Sequence, residues 1–155
     1  MISLLGEHYC KLDSKGRVIL PVAIKKQIPT KDEGIFVINR GFEKCLVLYT
    51  KSEWSKKTKE INKLNAYVAK NRKFIRYFYR GATELKLDAS NRLLIPKMLK
   101  GYAFIEKEIV LFAHSNKIEI WDVASYESLI DDEPKDFEDL AENVMGNINI
   151  DDDDE

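Results

Sequence analysis

Short apolar runs broken by polar turns fill the first 50 residues, and the same pattern returns after residue 80. Ile35-Phe36-Val37-Ile38 and Ile109-Val110-Leu111-Phe112 are β-branched and aromatic runs bounded by turn-forming residues, which predicts strands. Residues 45–49 and 117–121 predict two more, joined to the first pair through turns at 39–44 and 113–116. Pro21 and Pro96 each open a short helical stretch, 22–28 and 97–103, because proline in a first helical turn sacrifices no hydrogen bond. A longer helix is predicted over 51–80, which holds no Pro or Gly. Ser52, with Ser55 three residues on, is its candidate N-cap, without the Glu or Gln of a full capping box. Val68, Ile75 and Phe78, with Tyr67 and Phe74 beside them, recur at helical spacing and predict a face packed on the strands. A last helix begins near Val123.

One phrase in this pattern is written twice. Leu12-Asp13-Ser14-Lys15-Gly16-Arg17 runs into Pro21, and Leu87-Asp88-Ala89-Ser90-Asn91-Arg92 runs into Pro96, at an offset of 75 residues. Gly6/Gly81 and Lys11/Lys86 are identical at the same offset, while the later strands align at 72, so the second copy is three residues shorter in a loop. Each copy reads strand, turn, strand, short helix, strand, turn, strand, helix. Four short strands do not bury both faces of a sheet, whereas two copies can bury each other's apolar faces. The expected fold is mainly β with helices (α+β), a β-barrel or sandwich with pseudo-twofold symmetry. Its predicted divisions are a first half at 6–51, a helical connector at 52–80, a second half at 81–124 and a C-terminal helix with tail at 125–155.

Charge changes the picture because it is unevenly spread. The whole chain has a net charge of −1, but residues 131–155 hold 12 acidic residues and one basic residue, Lys135. Residues 1–130 therefore carry 24 Lys+Arg against 14 Asp+Glu, a basic body attached to an acidic tail. Such a body suits a polyanionic partner or, more plainly, a solvated basic surface. Arg72, Arg76 and Arg80 recur every four residues and predict a basic stripe, which is either a solvated helix face or a secondary phosphate-contacting or inter-subunit surface. In the tail, Phe137, Leu140, Ala141 and Val144 predict an amphipathic turn or two, with disorder beyond. The tail either keeps the chain soluble or folds back on the basic face and competes with its ligand. No apolar run reaches the ~18–20 residues of a bilayer span, and the N-terminus lacks a signal-peptide pattern, so a cytoplasmic protein with no membrane partner is expected. Cys10 and Cys45 are expected to be buried free thiols, and His8 and His114 to stand apart from acidic or cysteine clusters.

The duplicated phrase carries the chemistry. An Asp side chain accepts backbone N–H groups two residues on, and Gly16 supplies a left-handed turn position that Asn91, next best to glycine there, fills in the second copy. Asp13, Gly16, Asp88 and Asn91 are thus expected to organise the turns. Arg17 and Arg92 are not needed for a turn, and their planar forks suit phosphate oxygens or a guanine edge. Lys11, Lys15 and Lys86 add charge around them, and these five cations are the candidate DNA-binding residues. No nucleophile–base pair, Walker-type loop or metal-ligand spacing accompanies the two Asp residues, so catalytic residues, a metal, a cofactor and a small-molecule substrate are not expected.

The doubled Leu-Asp-x-x-x-Arg-x-x-x-Pro, the opening Gly6-Glu7-His8-Tyr9, the segment Phe74-Ile75-Arg76-Tyr77-Phe78-Tyr79-Arg80-Gly81-Ala82 and the closing Ile118-Glu119-Ile120-Trp121 together resemble the MraZ family of bacterial transcriptional regulators over roughly residues 1–130. The resemblance implies tandem AbrB-like half-domains in a swapped-hairpin β-barrel, assembled into a homo-oligomeric ring. It also implies double-stranded DNA as partner, in the form of repeated promoter boxes, nucleoid association, and repression of the division and cell-wall gene cluster. By position, the family's DNA-binding motif falls on Asp13 to Arg17 and on Asp88 to Arg92; Asn91 departs from the glycine common there, and the acidic tail lies outside the shared pattern. An AbrB-like module that binds a protein partner, as antitoxins of that type do, is the alternative.

Overall fold

The computed structural model describes residues 2–32, 34–131 and 136–146. Along the chain these form β1 (Leu4–Lys11), β2 (Arg17–Ile19), α1 (Val22–Lys25), a 3-10 turn (Thr30–Asp32), β3 (Ile35–Arg40), β4 (Leu46–Thr50), α2 (Lys51–Asn62) and α3 (Ala69–Tyr79). The second half continues with β5 (Thr83–Lys86), β6 (Arg92–Leu94), α4 (Lys97–Tyr102), β7 (Glu108–Ser115), β8 (Lys117–Asp122), α5 (Val123–Asp131) and α6 (Phe137–Met145).

The strands make two antiparallel sheets, and both join one half to the other. A six-stranded sheet has the order β1-β7-β8-β4-β3-β5, and β2 and β6 form a separate two-stranded ribbon. β1 of the first half lies along β7 of the second, from Leu4 opposite Ser115 to Lys11 opposite Glu108, while β5 of the second half lies along β3 of the first. Reading the order from either end gives the same succession of equivalent strands, with the pseudo-twofold between β4 and β8.

The mixed α+β architecture is the expected one, but no hydrogen-bonded ladder closes these strands into a barrel. β1 and β5 are the edges of an open sheet, and the three-residue strands of the ribbon pair only with each other. What unites the two sheets is the core. Val18, Leu20, Leu93 and Ile95 from the ribbon and its flanks, Ile24 of α1 and Leu99 of α4 pack with Phe36, Ile38, Leu46, Leu48, Ile109, Leu111, Ile118 and Ile120. The strand residues alternate in sequence, so they occupy one face of the large sheet. The opposite face carries the long helices: Tyr49 packs on Trp54 of α2, and Val110 and Trp121 pack on Tyr126 of α5. The central strand β4 is therefore covered on both sides, and all five of its residues are buried.

Several local expectations need correction. The long helix starts at Lys51 as predicted, but its cap is Thr50 and not Ser52: Thr50 Oγ1 accepts the Glu53 N–H at 3.3 Å. Ser52 instead donates its own N–H to Asp32 Oδ1 at 3.0 Å. The helix is also broken in two, because Asn65 turns its side chain onto the Tyr67 N–H and its carbonyl onto Asn71, a local alternative to helix continuation. The apolar face of the second piece does not enter the core. Tyr67 is 95% exposed, Val68 and Phe74 are exposed, and Phe78 stacks on Trp54 with ring centroids 5.5 Å apart. β7 extends to Ser115, which shortens the turn predicted at 113–116.

Cys45 is buried, and burial with the neighbouring Glu119 and Glu43 carboxylates pushes its thiol up to about 12. Cys10 is only half-buried, packed against the core from the edge strand β1; both thiols are free. His114 has one acidic neighbour, with its Nε2 3.3 Å from Glu119 Oε2 across the β7–β8 hairpin, but no metal-holding group of His, Cys, Asp or Glu occurs among the described residues. In the tail, the apolar positions 137, 140, 141 and 144 fall within the nine-residue helix α6, N-capped by Asp136, whose Oδ1 accepts the N–H groups of Glu138 and Asp139. The disorder predicted beyond it lies outside the described residues.

Candidate nucleic-acid interface

The two turns of the repeated phrase have the same internal wiring. Asp13 Oδ1 accepts the N–H groups of Lys15 and Arg17, both at 2.9 Å, and Oδ2 accepts Arg17 Nε at 2.7 Å. Asp88 Oδ1 accepts the N–H groups of Ser90 at 2.8 Å and Arg92 at 2.9 Å, and Oδ2 accepts Arg92 Nε at 2.7 Å. Backbone bonds from Asp13 N to Arg17 O and from Asp88 N to Arg92 O close the loops. The fourth position must be left-handed for this path, with φ +82° at Gly16 and +60° at Asn91. Each carboxylate serves as backbone clamp and guanidinium anchor at once. Each bond to the guanidinium runs through Nε, which leaves the Nη groups for an outside acceptor.

The turns are also bound to each other. Gly16 O accepts the Ile95 N–H at 3.0 Å and Asn91 O accepts the Leu20 N–H at 2.9 Å, extending the ribbon at both ends. Within it Arg17 faces Leu94, Val18 faces Leu93, and Ile19 faces Arg92. Side chains alternate along a strand, so Val18 and Leu93 enter the core, and Arg17, Ile19, Arg92 and Leu94 share the outer face. Ile19 and Leu94 are exposed there, between arginine side chains that are 26% and 31% exposed.

The remaining predicted cations are arranged less evenly. Lys15 is exposed at the tip of the first turn, where the second has Ser90. Lys11 lies 3.8 Å from Glu108 across the β1–β7 ladder, and Lys86 is exposed at the end of β5, opposite Ile35. Arg72, Arg76 and Arg80 are exposed on and just after α3. α3 lies on the helix-bearing face of the large sheet, so this stripe does not share a surface with the ribbon. Arg72 Nη1 turns back to Ala66 O at 2.9 Å.

Two lysines escape the sequence reading. Lys25 of α1 donates Nζ to Asn91 Oδ1 in the other half. Lys100 of α4 places Nζ against Gly16, 2.8 Å from where a Cβ would stand. They are equivalents at the same 75-residue offset, but lie past the prolines where the repeated phrase ends.

The electrostatics of the turns set their pH range. Asp13 and Asp88 are held below the ordinary carboxylate range, first by the backbone N–H of Arg17 or Arg92 and then by that arginine's side chain, against an opposing desolvation. A depressed folded value means that the stabilisation is complete above the unfolded value of about 4 and is lost as pH falls through the folded one. Both turns should therefore hold through neutral pH and loosen together below pH ~4. A titration of the Arg17 and Arg92 backbone and Nε–H resonances checks this; shifts already complete near pH 6 contradict it.

Comparison with known proteins adds the lineage. The family model described as "MraZ protein, putative antitoxin-like" matches twice in tandem, at residues 3–77 and 78–148. A protein of Christiangramia forsetii named "Transcriptional regulator MraZ" is 48% identical over 152 residues, covering 97% of this chain and 98% of its own length. One of the same name from Flavobacterium psychrophilum is also 48% identical, covering 97% of each chain. Another from Cytophaga hutchinsonii is 41% identical over 140 residues, covering 90% of this chain and 93% of its own. With its doubled phrase matched by two tandem copies of one family, this chain belongs to the MraZ family.

Proposed function

We propose that the chain is a sequence-specific, DNA-binding transcriptional regulator whose docking surface is the β2–β6 ribbon. The observation that carries this reading is the ribbon's outer face, where two anchored guanidiniums flank Ile19 and Leu94. A major groove admits a two-stranded β-ribbon, arginine forks match phosphate and guanine edges, and exposed apolar side chains suit thymine methyls. Arg17 and Arg92 are the primary contacts; Lys11, Lys15 and Lys86 supply phosphate neutralisation; Asp13, Gly16, Asp88 and Asn91 hold the turns. The names of the relatives support a role in transcription.

The finer reading is a repressor of the division and cell-wall gene cluster, its own promoter included, acting as a nucleoid-associated ring on tandem promoter repeats. We take the two sheets around one core as an AbrB-like swapped-hairpin arrangement, with half-domains at 6–51 and 81–124 joined by the connector at 52–80. Exposed Phe42, Tyr67, Phe74 and Tyr77 favour self-association through the helical layer. Presenting many ribbons to repeated boxes raises avidity ~10²–10⁴-fold where the spacing fits. An antitoxin-type protein-binding module is the second reading. It is favoured by α6, an acidic amphipathic helix with Phe137, Leu140 and Val144 exposed.

A gel shift tests the first reading. The chain should retain the duplex upstream of its own gene at salt that releases an unrelated duplex of equal length, and log affinity should fall linearly with log salt. Equal affinity for both duplexes at every salt concentration refutes sequence recognition. Light scattering of the same sample gives the assembly size.

A further inference from the structure

We propose that the two turns of the ribbon are unequal, the first being the dominant phosphate site, and that Asn91 sets the difference by tethering Lys25. The inference rests on the ribbon being the DNA surface and concerns how its load is divided.

The two halves place equivalent lysines over equivalent turns, yet the lysines meet different chemistry. Lys100 Nζ reaches the first turn where Gly16 has no side chain, and it makes no hydrogen bond or ion pair among the described residues. Lys25 Nζ reaches the second turn and is captured by the Asn91 amide oxygen. The amide oxygen takes one of the three Lys25 Nζ donors and fixes the ammonium over Asn91, so a phosphate oxygen must meet Lys25 in that pose. The Lys100 ammonium, on a residue less exposed than Lys25, has no such fixed acceptor among the described residues. Lys15 stands at the tip of the first turn, and neutral Ser90 takes its place in the second. The first turn thus offers Arg17, Lys15 and an untethered Lys100, with Lys11 beside Glu108, against Arg92, an exposed Lys86 and a tethered Lys25 in the second. The same difference explains how both turns keep a left-handed fourth residue while diverging in sequence: glycine leaves space for a lysine, and asparagine holds one.

The test is a set of single variants and exchanges on the upstream duplex, each measured over a range of salt. Lys100→Ala should weaken binding about tenfold and lower the salt slope by ~1, as expected for one lost phosphate contact. Lys25→Ala should change affinity less than about threefold, in the range of an exposed polar contact, with the slope unchanged. Asn91→Gly, which keeps the left-handed turn, should free Lys25 and raise the slope by ~1, and Gly16→Asn should capture Lys100 and lower it by ~1. Equal losses from the two lysine variants, a greater loss from Lys25→Ala, or an unmoved slope in both exchanges overturns the proposal. Arg17→Ala and Arg92→Ala measured alongside separate the two levels. If these two bind like wild type, the ribbon is not the DNA surface; if they weaken binding and the exchanges do nothing, the inequality alone is wrong.

Discussion

Replacing both arginines, Arg17→Ala with Arg92→Ala, is expected to reduce affinity for the upstream duplex ~10²-fold or more, taking ~1.5–3 kcal/mol for each charge-assisted hydrogen bond. The salt slope should fall by ~2 if each guanidinium neutralises one phosphate. The fold should survive, because the side chains are on the outer face and the backbone bonds to Asp13 and Asp88 come from the N–H of the same residues, which alanine keeps. Arg→Lys at both positions retains charge but not the planar fork. It should restore most of the salt dependence and little of any base preference. Unchanged affinity in the alanine pair, with an unchanged circular dichroism spectrum, removes the ribbon from the interface. A loss that accompanies unfolding is recognised by the same spectrum and leaves the lysine pair as the deciding comparison.

Phe36→Ala is the substitution expected to cost the most stability, about 3–5 kcal/mol out of a total that for domains is typically 5–15. Phe36 is 1% exposed and among the largest fully buried side chains. It sits on β3 opposite Thr50 of β4 and Leu85 of β5, at the place where a second-half strand is laid against the first half. A cavity there should loosen the pairing between halves as well as the core. Urea unfolding checks it: the midpoint should drop while the slope with denaturant stays constant, and a shift below about 1 kcal/mol would mean that the site collapses around the gap.

Much of the site is legible in one sequence because turn chemistry is local. Asp13 and Asp88 bind N–H groups two and four residues on, so spacing alone points to the clamp, and Gly16 and Asn91 share a left-handed backbone for a reason contained in their own residue types. Strand identity is legible in the same way, from β-branched runs such as Ile35–Ile38. Partner choice is not. Nothing in residues 4–11 says that they lie along residues 108–115, because two copies with matching faces can pair within or across. The repeat predicts a barrel or a sandwich without choosing between them, and the choice depends on ladder lengths such as those of β2 and β6, which close no barrel among the described strands. α3 shows the limit of periodicity, which reports that Ile75 and Phe78 share a face with Phe74 but not what that face meets. The break at Asn65 is a competition between side-chain and helical bonds that no Pro or Gly announces. Lys25 and Lys100 left a readable trace, identity at the offset of 75, but only their reach across the halves gives it meaning.

The exchange of edge strands has a bearing on inheritance. A gene encoding one half alone would find the missing strand only in a second molecule of itself, and every pair so formed would carry identical corners. Joining both halves in a single polypeptide removes that enforced sameness. One corner can then hold a tethered lysine while the other keeps an untethered one, a difference that a homodimer of identical halves cannot encode.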